Sequence, residues 1–194
     1  MDLPVIGEQP SERADAALNR TRILSAAKKL FAERGISCTS MDAIAAEAGV
    51  GKGTLFRRFG DRATLALAVL DDSERELQDD LLRGPPPLGP GAPPCERIIA
   101  FGEAMLDALE LNSEILVEAE RRGGLIDSAP RRVHRLHLRN LLAEADPEGD
   151  SDYLVDVLLG PLSPSIFIFE REIAEMDLGR LKDGYADLVD RVLR

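Results

Sequence analysis

Apolar residues recur at three- and four-residue intervals along almost the whole 194-residue chain, the spacing that gathers side chains onto one face of a helix. Ile23, Ala27, Leu30 and Phe31 form the first such stripe, with Lys28, Lys29, Glu33 and Arg34 on the other face and Gly35 as its stop. Residues 1–17 mix Pro, Gly, Glu and Asp without a sustained apolar period, which predicts a mobile arm leading into the basic pair Arg20 and Arg22. Ser40 stands as an N-cap before a short helix over 41–48 that carries Asp42 in its first turn and ends at Gly49. Val50 and Gly51 then turn the chain. A second short helix follows over 52–59, and Gly60-Asp61 both stops it and caps a long helix from Arg62 to about Leu82.

Nine of the eleven residues in 84–94 are Pro or Gly, so that stretch cannot continue a helix and reads as an extended connector between packed elements. Beyond it, Ile98, Phe101, Met105, Leu106 and Leu109 make one helical stripe, and Leu138, Leu141, Leu142 and Ala145 make another after Pro130. Leu154, Val157, Leu158 and Leu162 repeat helically until Pro161 and Pro164 disturb the run. Leu178, Leu181, Tyr185, Leu188, Val189 and Val192 close the chain. No strand-like alternation of useful length interrupts the series, so the expected fold class is all-α.

Charge divides the chain more sharply than pattern does. The net charge of −11 argues against a nucleic-acid partner only while it is taken as one number. Residues 20–62 hold nine Lys and Arg against four acids, a net +5, whereas 63–194 hold fourteen against twenty-seven, a net −13. The first third can approach phosphate while the remainder keeps the protein dissolved and repels it. No run of 18 apolar residues is present, so no membrane partner is expected. Residues 1–9 have no basic residue ahead of an apolar run, so the expected compartment is the cytoplasm. Cys38 and Cys95 match no metal or redox spacing and are expected to be reduced thiols that merely pack.

The segment 44–59 has what a helix-turn-helix needs. Ala45 is small enough to let two helices approach, and Gly49, four residues on, supplies the sharp turn. Ile44, Val50, Leu55 and Phe59 can bury between the helices, leaving Lys52, Gly53, Thr54, Phe56, Arg57 and Arg58 for the outward face and the helix ends. A second helix of this kind lies in the major groove, its first turn nearest the base edges and its arginines within reach of phosphate or guanine.

Residues 20 to about 70 resemble the DNA-binding domain of the TetR family of bacterial regulators. The matching strings are Arg22-Ile23-Leu24-Ser25-Ala26-Ala27, Phe31-Ala32-Glu33-Arg34-Gly35, Ile44-Ala45-Ala46-Glu47-Ala48-Gly49-Val50 and Gly51-Lys52-Gly53-Thr54-Leu55-Phe56-Arg57-Arg58-Phe59. The resemblance implies a three-helix reading head over 18–62 and a helical domain over 63–194 that binds a small-molecule effector and forms a homodimer. It further implies a repressor of palindromic double-stranded operator DNA. The stretch 158–164 and the last helix are similar to dimerising segments of some members. The candidate DNA contacts are Arg20, Arg22, Ser40, Met41, Gly51, Lys52, Gly53, Thr54, Phe56, Arg57, Arg58 and Arg62. Three of these depart from the family's habit: Phe56 stands where members often have a phosphate-bonding tyrosine, Arg58 replaces a histidine or tyrosine, and Arg62 stands where lysine is common. Backbone contacts are therefore expected to rest on arginine, whose geometry differs from that of lysine.

Gly49-Val50-Gly51-Lys52-Gly53-Thr54 also resembles the end of a kinase phosphate loop, but such a loop needs a strand before it and a further upstream glycine, where Ala46 stands. Phe101, Met105, Leu116, His134, Tyr153 and Phe167 are candidate walls of an effector pocket, although apolar residues at helical spacing ordinarily just fill a core. Glu118, Glu120, Arg121 and Arg122 are candidates for orienting a polar effector. His134 and His137 lie one helical turn apart without an identifiable third ligand, so no metal or other cofactor is expected. No order of nucleophile, base and acid suggests catalysis, and a non-enzyme is expected.

Overall fold

A computed structural model describes residues 12–121, 128–146 and 148–193. Among them are nine α-helices and no strand. These are α1 (Glu12–Arg34), α2 (Met41–Glu47), α3 (Lys52–Phe59), α4 (Arg62–Arg83), α5 (Pro94–Arg121), α6 (Ala129–Ala145), α7 (Ser151–Leu159), α8 (Pro164–Ile168) and α9 (Leu178–Val192), with a π-helical turn over Phe169–Ile173 continuing α8. The chain divides into two compact units, residues 1–69 and 70–194. The division falls inside α4, within the second domain expected over 63–194, and Leu65, Ala66 and Val69 in the first turns of α4 are buried. Helix α1 begins at Glu12, so residues 12–17 of the expected arm are its first turns; residues 1–11 lie outside the described part.

The first unit is built around α1, whose Ile23, Leu24, Ala27, Leu30 and Phe31 are all buried. Helix α2 packs on α1 and on α3. Ser40 caps α2 as its position requires, its Oγ accepting from the Ala43 amide at 3.1 Å. At the other end Gly49 adopts φ +64, its amide reaches Ala46 O at 3.2 Å, and the Val50 amide reaches Ala45 O at 3.0 Å. These are the two bonds of a Schellman ending, which satisfies the last carbonyls of α2 and throws the chain toward α3. Asp61 repeats the capping device for α4, its carboxylate accepting from the Thr64 amide at 2.7 Å. That bond holds the Asp61 carboxyl below the usual range.

In the second unit α5 is the central helix, with α6, α8 and α9 packed on it and α7 on α6. Ile98, Phe101, Leu106 and Leu109 of α5 meet Leu138, Leu141 and Leu142 of α6, Leu158 of α7, Phe167 of α8, and Leu181, Tyr185 and Val189 of α9 in one core. Pro164 does not end a helix here; it opens α8 from the first turn, where its missing amide is no loss. Glu120 of α5 accepts from the Ser165 amide at 3.0 Å and from the Ser165 hydroxyl, supplying acceptors to the start of α8. Farther back on α5, Glu110 accepts from Arg171 Nε at 2.9 Å and Nη2 at 2.7 Å, and Asp107 pairs with Lys182 at 2.7 Å. The two cysteines are free thiols; Cys38 is exposed rather than packed, and Cys95 is half-buried with its Sγ 3.5 Å from Asp190.

Candidate nucleic-acid interface

Helix α3 is amphipathic over only two turns. Leu55 and Phe59 are buried, with Ile44 and Ala45 of α2 also buried in the same unit. Lys52, Gly53, Phe56, Arg57 and Arg58 are exposed and Thr54 is half-buried. Phe56 stands 46% exposed, which for a phenyl ring on an eight-residue helix leaves apolar surface that the unit itself does not cover. Around this face lie Gly51 at the N-cap of α3, Ser40 at the N-cap of α2 and half-buried Met41. Two helix N-termini with unspent backbone amides suit an anionic partner.

The basic residues differ in what they already hold. Arg57 and Arg22 are exposed, and among the described residues no bond or ring contact engages either side chain. Lys52 donates to Asp42 of α2 at 2.5 Å, both side chains being more than half exposed. Arg58 Nη1 donates to the Ala16 carbonyl at 2.8 Å, tying α3 to the first turns of α1. Arg20, also on α1, lies over the Phe59 ring at 5.8 Å. Arg62 Nη1 donates to Ser37 O at 2.6 Å and Thr39 O at 3.3 Å, so it braces the α1–α2 loop. Arg20, Arg58 and Arg62 thus have internal partners that their positions in the sequence did not disclose, although each guanidinium keeps further N–H donors.

Sequence reasoning missed Thr39. It is 1% exposed, and its hydroxyl has contacts at 3.2 Å with Leu30 O and 2.8 Å with Gly35 O, locking the loop that aims α2. A threonine one residue before an N-cap serine carries no periodic signal that would have marked it. The phosphate-loop alternative finds no strand: residues 49–53 run from the end of α2 into α3.

In the second unit the six anticipated pocket walls differ in burial. Phe101 and Phe167 are buried at 0% and 2%, Met105 and Leu116 pack against the same core, and His134 is 5% exposed. Tyr153 is 68% exposed, because it sits off the face of α7 that buries Val155, Leu158 and Leu159. A cleft of about 520 Å³ is lined by residues that include Leu106, Leu162, Glu170, Arg180, Tyr185 and Leu188, and none of the six anticipated walls borders it. Burial pushes the Glu170 carboxyl and the Tyr185 phenol up. Of the four polar candidates, Glu120 is committed to Ser165, while the side chains of Glu118, Arg121 and Arg122 lie outside the described part. Among the described residues no group of three or more His, Cys, Asp or Glu could hold a metal ion. No single described helix is long and apolar enough to cross a membrane.

Residues 23–69 match the domain described as "Bacterial regulatory proteins, tetR family". An HTH-type transcriptional regulator of Staphylococcus aureus is 48% identical over 58 residues, which is 30% of this chain and 31% of that protein. The chain thus spans about a third of the length of the curated relatives it matches. Likeness over the remainder comes from solved structures. A TetR transcriptional regulator from Streptomyces coelicolor is 28% identical with a TM-score of 0.60, the match covering 88% of this chain and 97% of that one. A second TetR-family regulator from the same organism is 22% identical with a TM-score of 0.64, covering 92% and 95%, and shares the fold.

Proposed function

We propose that the chain, whose residues 23–69 match the helix-turn-helix DNA-binding domain of the TetR family of bacterial transcriptional regulators, is a repressor that binds a palindromic operator as a homodimer and leaves it when a small-molecule effector binds the second unit. The observation that carries this reading is α3 itself: a short helix pinned from behind by Leu55 and Phe59 that turns Lys52, Phe56, Arg57 and Arg58 outward beside the N-termini of α2 and α3. Such a helix enters the major groove, and phosphate contacts from the flanking basic residues fix its register. Arg57, with Lys52 and Thr54 in the first turn, is the side chain assigned to base edges; Arg22, Ser40 and Arg62 are assigned to the backbone.

A single α3 covers too few base pairs to find one site in a genome, which favours two copies related by a twofold axis, with half-sites about 34–36 Å apart. Residues 150–192 are the segment proposed to join the copies. Effector binding then needs to favour the DNA-free arrangement by only a few kcal/mol to empty the operator. Selection of bound fragments from a random DNA pool tests the reading. It predicts an inverted repeat bound by two chains, with log affinity falling linearly with log salt at about −0.9 per phosphate neutralised. Recovery of unselected sequence, or of a single half-site bound by one chain, would overturn it.

A further inference from the structure

Beside Phe101 the second unit buries two side-chain nitrogens that have no hydrogen-bond partner. His134 and His137 of α6 flank the Phe101 ring at centroid distances of 5.2 and 5.8 Å. His134 Nε2 donates to Glu74 Oε1 of α4 at 2.9 Å, and the same oxygen takes a bond from Gln78 at 2.7 Å. That oxygen of Glu74 is therefore spent twice. Arg97 of α5 gives one nitrogen to Leu81 O at 3.2 Å, but its Nε is buried without a partner, and so is Nε2 of His137. Among the described residues no carboxylate is paired with the Arg97 guanidinium. Burial, and then the nearby charge of Arg97, push the His137 imidazole down to about 4, so it is neutral and carries one N–H.

A buried donor with no acceptor is costly, and a guanidinium set against a carboxylate is the pairing that best relieves it. We infer that Arg97 and His137 anchor the carboxylate of a small organic acid with an apolar body lying along Phe101; this rests on the reading of the chain as an effector-responsive regulator and names the chemistry of that effector. A neutral apolar molecule at this place leaves both nitrogens orphaned. A polyanion is disfavoured because residues 63–194 carry a net −13. A carboxylate held here also lies beside the Glu74–His134 bond, so it competes with Glu74 for an imidazole, and Glu74 belongs to α4.

The test uses the full-length protein with benzoate and octanoate, each against its amide, benzamide and octanamide. Binding is read by the thermal midpoint and by the side-chain ¹⁵N resonances of the two histidines. At least one acid is expected to raise the midpoint and move His137, with the matching amide at least tenfold weaker. Arg97→Gln and His137→Phe should each weaken the acid at least tenfold, and either variant suffices if the other does not fold. Absence of binding by both acids, equal binding of acid and amide, or unchanged binding in a folded variant overturns the site. Operator affinity is measured separately on the same samples. Acid binding that leaves operator affinity unchanged supports the site and removes the effector reading, whereas loss of the site leaves DNA binding by α3 untouched.

Discussion

Arg57 is exposed on α3 with no internal partner among the described residues, and Lys52 beside it is already paired with Asp42. The two should therefore respond differently to substitution. Arg57→Ala is expected to weaken operator binding about tenfold, roughly 1–1.5 kcal/mol, which gel shift or fluorescence anisotropy reads directly. Asp42→Asn is expected to strengthen binding by about two- to fivefold, since it frees Lys52 and removes a charge that repels phosphate; an exposed pair is worth no more than that. Affinity that fails to rise in Asp42→Asn would mean that Lys52 does not face the duplex. His137 makes a pH prediction. Folded, its imidazole stays neutral to about pH 4, whereas unfolded it takes a proton near 6.5. The unfolded chain thus binds more protons between those values, and stability falls as pH drops through that window. With its partial exposure discounted, the loss is on the order of 1–2 kcal/mol. Denaturant midpoints for the wild type and His137→Asn, compared at pH 7 and 4.5, should differ in slope by that amount.

Helix-scale features were legible where local chemistry sets them. Ser40, Gly49, Asp61 and the 84–94 connector each announced an ending or a beginning, and α2, α3 and α4 lie where these residues put them. Two elements escaped. The first turns of α1 have no apolar stripe of their own, and a partner on α3, Arg58, bonds them at Ala16. Pro164 reads equally as a breaker and as a first-turn residue, and what decides is Glu120, some forty residues back on α5, supplying an acceptor to the α8 N-terminus. Packing between α5 and α9 is set by a contact of the same long range. A Cβ on Gly102 would lie 2.0 Å from Cε1 of Tyr185, so Gly102→Ala is expected to destabilise by about 1–3 kcal/mol. Combining it with Tyr185→Leu should cost less than the sum of the two single changes, and strict additivity would mean that the residues do not touch.

At the scale of the whole chain, the split between a basic head and an acidic remainder was visible in charge counts, and so was the all-helical class. The exact seam was not, because α4 runs through it without a change of period. Nor was the chemistry of the second unit. Phe101, Phe167 and Leu116 have the spacing of core residues whether or not a cavity borders them, so pattern could not tell the two apart. Nothing in the pattern marks Arg97, since a missing acceptor is a property of three helices together and of no single segment.

The chain has no tryptophan and two tyrosines, and they sit at opposite extremes: Tyr153 is 68% exposed and Tyr185 3%. Near-ultraviolet light therefore sees this protein through one wet phenol and one dry one. In an alkaline titration the phenolate absorbance of Tyr185 should arrive only with unfolding, because burial resists its ionisation. Ionisation of Tyr185 before the helices melt would mean that α9 does not hold its ring tightly against α5.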